Sequence, residues 1–170
     1  MNVWKFLPIL FLFLGIAFAV DAPACGNNLS SAGKTYTMNA SADINGSTCF
    51  TVTAANVTLD CNGFSITGNN TTSTYGIYSN QFNTTIKNCD ISNFSIGVFF
   101  NDADNGTIEN NTIDVTKDYA ATNGMCMYVA SSSNYNTIRG NTLTKVGQLA
   151  MYVQSSTGNN VINNIISSGS

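Results

Sequence analysis

Residues Asn105–Ile113 read NGTIENNTI, and residues Asn136–Leu143 read NTIRGNTL. The shared phrase is an aliphatic residue, two further residues, usually Asn, one more residue, and a second apolar side chain. It occurs three more times, as Leu59-Asp-Cys-Asn62-Gly-Phe64, Ile86-Lys-Asn-Cys89-Asp-Ile91 and Val161-Ile-Asn-Asn164-Ile-Ile166. The five phrases begin at 59, 86, 108, 138 and 161, so they are spaced by 27, 22, 30 and 23 residues. A second phrase sits nine to eleven residues ahead of the next first phrase: Gly76-Ile77-Tyr78-Ser79, Gly97-Val98-Phe99-Phe100, Met127-Tyr128-Val129 and Met151-Tyr152-Val153.

Self-similarity at this period predicts a coiled architecture. Each unit supplies short strands that cannot bury an apolar side alone. Winding the chain stacks each strand on its equivalent one turn later, about 4.8 Å away, in parallel ladders. Like positions then form columns. Ile77, Val98, Met127 and Met151 make one inward column, and Leu59, Ile86, Ile108, Ile138 and Val161 another. Asn62, Asn111, Asn141 and Asn164 are expected to make a third, broken by Cys89, because Asn tolerates left-handed backbone and stacked amides bond each other. An antiparallel sandwich would not require one phrase to recur. Regular Ile spacing argues against a disordered polar tract. From Ala24 to Ser170 there is no proline to interrupt a ladder.

The 170 residues are one domain's worth of chain, with a net charge of -3. Charged residues make up 9%, against about 25% in an ordinary soluble domain. Polarity comes instead from 25 Asn, 20 Thr and 17 Ser. Six Lys and Arg in all cannot form the clusters that neutralise phosphates, so no nucleic-acid partner is expected. The absence of His excludes His acid–base chemistry and His metal ligation.

Met1–Lys5 carries one positive charge, Phe6–Val20 is the apolar run FLPILFLFLGIAFAV, and Ala17-Phe18-Ala19 supplies a small-x-small cleavage pattern. This predicts a signal peptide over residues 1–19. Its fifteen apolar residues fall short of the roughly 20 that span a bilayer, and no membrane span is expected after cleavage. The expected location is secreted, extracellular or on the cell surface, or periplasmic in a cell with two membranes. All five Cys then lie in an oxidising compartment. An N-terminal cap segment is expected over 20–48 and repeats over 49–170. The last phrase runs into Ser-Ser-Gly-Ser, which predicts a solenoid cut short or an open end that docks on a partner.

The phrases NTIRGNTL, NGTIENNTI, YGIYS and IGVFF resemble the repeats of right-handed parallel β-helix proteins, the pectate-lyase-like superfamily with its periplasmic NosD-type members. Cys25 and the stretch CFTVTAANVTLDCNGFSITG resemble the leading coils of secreted members. The resemblance covers about Thr35 to Ser170. It implies an all-β, single right-handed parallel β-helix. It does not assign an activity, because this fold hosts lyases, hydrolases, adhesins and spacers.

Strand alternation points the residue after each first-phrase aliphatic outward. Down the coils it reads Asp60, Lys87, Glu109, Arg139, Ile162. Alternating signs predict a salt-bridge ladder that fixes register, each pair contributing about 0.2–1 kcal/mol. The rival reading is a catalytic cluster, and Asp60, Lys87, Glu109 and Arg139 are the only candidates for one. The resemblance implies that lyases of this class pair acidic calcium ligands with a basic proton acceptor. It also implies that the polygalacturonase-like hydrolases need several clustered Asp and an assisting His, which this chain lacks. The densest acidic loop, Asn101-Asp-Ala-Asp104-Asn-Gly106, lacks the third ligand and distal Glu of a calcium loop. No cofactor is expected, calcium being the one ion that loop would suit.

A second outward column is aromatic: Tyr78, Phe99, Tyr128 and Tyr152. These rings are the candidate binding residues for polysaccharide or another surface protein, since exposed aromatic rows bury large area. Alternatively they only brace adjacent strands. Cys61 and Cys89 are one residue out of step in adjacent coils, which puts their α-carbons about 6 Å apart, within bridging range. Cys25 and Cys49 are left to staple the leading coil, and Cys126 is left over, as a thiol or a link to another chain. No metal-spaced Cys pair exists, and Met125, Cys126 and Met127 alternate in direction, so they do not converge on copper. Ten Asn-x-Ser/Thr sequons, at Asn28, Asn39, Asn45, Asn56, Asn69, Asn70, Asn83, Asn93, Asn105 and Asn110, all precede residue 111. They permit N-glycosylation, and they also suit solenoid turns.

The expected function is therefore a secreted or surface structural and adhesive module, binding glycans along the aromatic face and without catalysis of its own. A carbohydrate-active lyase or hydrolase of the pectate-lyase-like class is the alternative.

Overall fold

The computed structural model describes residues 19–115, 124–145 and 149–168. The expected signal peptide therefore lies outside the described residues, apart from Ala19. After β1 (Ala19–Asp21), the chain repeats a triplet of short strands six times. The first coil is β2 (Asn27–Leu29), β3 (Thr35–Thr37) and β4 (Ala42–Asp43). The second is β5 (Phe50–Val52), β6 (Thr58–Asp60) and β7 (Ser65–Thr67). The third is β8 (Tyr75–Ser79), β9 (Thr85–Lys87) and β10 (Asp90–Ser92). Next come β11 (Ile96–Asn101), β12 (Thr107–Glu109) and β13 (Thr112–Val115). The fifth coil is β14 (Met125–Ala130), β15 (Thr137–Arg139) and β16 (Thr142–Lys145). The last is β17 (Met151–Val153), β18 (Asn160–Ile162) and β19 (Ile165–Ser168).

Every third strand falls in the same sheet. Sheet I runs from β2 to β17, sheet II from β1 and β3 to β18, and sheet III from β4 to β19. All described pairings are parallel, so the fold is a β-solenoid. Residues 20–48 already contribute strands to all three sheets.

The predicted inward columns are in register. Ile77 pairs with Val98, Val98 with Met127, and Met127 with Met151. Leu59, Ile86, Ile108, Ile138 and Val161 follow one another down sheet II. Sheet III adds Ile66, Ile91, Ile113 and Leu143, all fully buried. Each such aliphatic side chain contributes about 1.5–3 kcal/mol relative to leaving it in water. Val161 is 45% exposed, because β18 has a neighbour on one side only.

The corner from sheet III into sheet I is tight. A side chain at Gly97 would meet Ile113 Cγ2 and the Cys126 carbonyl, and one at Gly76 would meet Ile91 Cγ2. Glycine at both positions lets the backbone close onto the sheet III isoleucines. Cys126 follows Gly97 in the next coil. It is fully buried, and its thiol donates to the Ile113 and Thr144 carbonyls at 3.4 and 3.2 Å. That burial rules out the expected alternative of a link to another chain.

The turns correct one expectation. The left-handed residues between sheets II and III are Asn88, Asn110, Gly140 and Asn163, each one position before Cys89, Asn111, Asn141 and Asn164. The stacked asparagines are therefore not the left-handed ones. Asn62 has φ 52° and belongs with the left-handed set, not with the stack. Four residues separate β6 from β7, whereas two separate β9 from β10. That longer turn carries Asn62 out of register.

Candidate functional site

At the turn from sheet II to sheet III, buried asparagines form a ladder. Asn164 Oδ1 accepts from the Asn141 backbone N–H at 3.0 Å and from Asn141 Nδ2 at 2.9 Å. Asn141 Oδ1 accepts the same two bonds from Asn111, at 2.9 and 3.0 Å. Asn111 and Asn141 also donate to the Ile86 and Ile108 carbonyls of the preceding coil. Buried polar groups left unpaired are expensive, and here each amide closes the donors and acceptors that the turn leaves over. The ladder ends at Cys89, whose N–H donates to Asn111 Oδ1. There a covalent bond takes over. Cys61–Cys89 is a disulfide with α-carbons 4.7 Å apart, and Cys25–Cys49 is a second at 4.3 Å. Both pairings match the expected ones.

The charged column of sheet II is in register as Asp60, Lys87, Glu109, Arg139 and Ile162. It pairs two by two. Lys87 Nζ lies 3.2 Å from Asp60 Oδ2. Arg139 Nε and Nη2 both donate to Glu109 Oε2, at 2.7 and 2.5 Å. Asp60 Oδ1 also accepts from Asn88 Nδ2 and the Asn62 N–H. Burial alone would raise the Asp60 carboxyl, but the Asn88 and Asn62 hydrogen bonds and the Lys87 ammonium hold it below the usual carboxylate range. The four candidate catalytic side chains thus share one column and are engaged as two separate ion pairs.

In the acidic loop Asp104 Oδ1 accepts from the Asn134 N–H of the next coil, and Ala103 is buried. Among the described residues no group of three or more potential metal-ligating side chains converges. A different carboxylate is out of balance. Asp114, on β13, has a buried Oδ1 without a hydrogen-bond partner. Burial first, and the nearby Asp90 second, push its carboxyl above the ordinary value.

The aromatic column of sheet I is also in register: Tyr78, Phe99, Tyr128, Tyr152. Phe99 and Tyr128 stack at 4.8 Å between centroids and 8° between planes, and Tyr128 and Tyr152 at 5.6 Å and 5°. Tyr78 meets Phe99 edge-on at 5.5 Å. From Phe99 to Tyr152 adjacent ring faces lie against each other. Tyr128 donates to Gln154 Oε1, and the Tyr78 hydroxyl accepts from Asn101 Nδ2. A fifth ring, Tyr75, joins at 5.8 Å from Tyr78 and 5.2 Å from Phe99. Strict alternation would have turned Tyr75 inward with Ile77. Instead position 76 faces in, and Tyr75 faces out. Of the insert Asp114–Asn123, which could alternatively cover this row, residues 116–123 lie outside the described residues.

One column was not anticipated. Thr35, Thr58, Thr85, Thr107 and Thr137 lie in register down the first position of sheet II, each half-buried. The signal was present: Thr precedes the aliphatic residue that opens four of the five first phrases, and Tyr36 in the coil before them.

The family described as the right handed beta helix region matches residues 30–170 of the chain. No curated protein and no solved structure matches it.

Proposed function

As a member of the right-handed beta-helix family, the chain acts, we propose, as a secreted or surface-attached structural and adhesive module, without catalysis of its own, that holds polysaccharide or another surface protein along its aromatic strip. The observation that carries this reading is the strip of five rings, Tyr75, Tyr78, Phe99, Tyr128 and Tyr152, on the outer side of sheet I. Four rungs extend over roughly 15 Å. Ring edges supply apolar area, while the tyrosine hydroxyls, Asn101 and Gln154 supply hydrogen bonds at the same surface. The charged column speaks for a structural part, since each of its ions already has a partner of opposite sign. Two disulfides accord with export to an oxidising compartment.

The test is binding to cell-wall fractions and isolated glycans by the wild type and by Tyr128→Ser/Tyr152→Ser, with both checked for an unchanged β-sheet spectrum. Loss of binding in the folded double variant supports the reading, and unchanged binding removes the strip from it. Product release from pectin, alginate or other uronates in the presence of calcium would overturn the non-catalytic part.

A further inference from the structure

The solenoid explains where the sequons come from. In the turns from sheet I to sheet II, the last left-handed residue of successive coils is Gly33, Asn56, Asn83, Asn105, Tyr135 and Gly158. They stack through backbone bonds from one coil to the next. Two positions after the first five comes the threonine column of sheet II, Thr35, Thr58, Thr85, Thr107 and Thr137, and two after Gly158 stands Asn160. Where Asn fills the left-handed site, the two columns together spell Asn-x-Thr, at Asn56, Asn83 and Asn105. All three asparagines are exposed.

Backbone preference alone would continue this pattern, because Asn is the residue other than Gly best suited to left-handed turns. It stops. Thr137 keeps its place, but Tyr135 takes the left-handed site at φ 56°, a conformation that a bulky residue rarely adopts. Thr142 is likewise preceded at the corresponding left-handed site by Gly140, and where Asn163 does return, the residue two positions on is Ile165. In every described coil after Asn111, one half of the sequon or both halves are replaced.

We propose that the turn edge carrying Asn56, Asn83 and Asn105 is an N-glycosylation edge, and that the coils after residue 111 are kept bare by substitution at those same turns. The inference rests on the export reading above. In the transfer step the asparagine Nδ2 forms a bond to the anomeric carbon of the sugar. The bond broken joins that carbon to the phosphate of an activated donor, a lipid-linked or nucleotide-linked sugar. The phosphate group leaves with its electron pair, and the amide proton goes to the transferase base. Asn83 Nδ2 donates to Asn56 Oδ1 at 2.9 Å, so the nitrogen that would take the sugar is held against the neighbouring amide. Asn56 and Asn83 therefore compete for one sugar.

The experiment is glycopeptide mass spectrometry on the protein purified from the cells that make it, alongside its location by cell fractionation. The expected result is sugar mass on Asn105 and on one of Asn56 and Asn83, with every asparagine from Asn134 to Asn164 bare. An exported protein unmodified at all three positions would overturn the proposal and leave the export reading standing. A protein retained unmodified in the cytosol would overturn both. The variant Tyr135→Asn completes a sequon with Thr137 at a site 65% exposed. It is expected to gain one glycan, and a bare residue there beside a modified Asn105 would overturn the role given to Tyr135.

Discussion

The first three coils and the last three solve one problem by different chemistry. The turn from sheet II to sheet III leaves backbone groups facing inward that no strand partner reaches. In the N-terminal coils a disulfide occupies this place, Cys61–Cys89. In the C-terminal coils the same register position holds Asn111, Asn141 and Asn164, joined by amide hydrogen bonds. Cys89 belongs to both systems, bonded through sulfur to the coil before it and through its N–H to Asn111 in the coil after it. The disulfide constrains the unfolded chain, whereas the amides satisfy the folded one. A rung can thus be locked by either route, but only one of them depends on the redox state of the surroundings.

The largest effect should come from breaking the ladder. Asn141→Ala leaves the buried Asn111 N–H without its acceptor, at about 1–3 kcal/mol, and removes two further amide bonds, to Asn111 Nδ2 and to the Ile108 carbonyl, at about 0.5–1.5 kcal/mol each, so a loss of about 4 kcal/mol in denaturant unfolding is expected. A loss below about 1 kcal/mol would mean that water enters and replaces the amide. Reduction of the disulfides, or Cys61→Ser/Cys89→Ser, should cost nearly as much. The chain-entropy model gives about 3.5 kcal/mol for a loop of 28 residues. Hydrogen exchange should then rise in the N-terminal coils and leave the amides around Asn141 protected. Equal loosening of both halves would show that the coils unfold as one unit.

Smaller effects separate the halves by pH. Asp60 has a lowered carboxyl in the folded state. It therefore contributes stability that is present above the unfolded value of about 3.9 and lost as pH falls through its folded value. Asp114 behaves oppositely. Its raised carboxyl makes the folded state hold the proton longer, so stability falls as pH rises from about 3.9 through the folded value. Asp114→Asn should raise the melting temperature at pH 7 and have no effect well below pH 4, whereas Asp60→Asn should lower it at pH 7. The same sign for both at neutral pH would contradict the environments described. The smallest effect is expected for Arg139→Ala. Its side chain is 54% exposed, and surface pairs of this kind are worth about 0–1 kcal/mol.

Much of this was legible because contacts in a solenoid join residues at nearly constant offsets. The sheet II column from Leu59 to Val161, the charged column from Asp60 to Arg139 and the Cys61–Cys89 disulfide can all be read by aligning phrases, and Cys25–Cys49 follows as the pair left in the leading coil. The alignment failed at Asn62, where a turn two residues longer shifts the phrase against the coil. It also missed Tyr75, because alternation does not hold across the bend at Gly76.

The sequence by itself therefore determined the parallel coiling, the order of the columns and the pairing of the cysteines, since a recurring pattern has one economical way to bury its aliphatic residues. Only the tertiary structure decided which asparagines stack and which merely turn the chain, how the rings face one another, and that Asp114 keeps a buried oxygen without a partner. Those outcomes depend on turn length and side-chain direction, which change by one residue or one rotamer without altering the repeat.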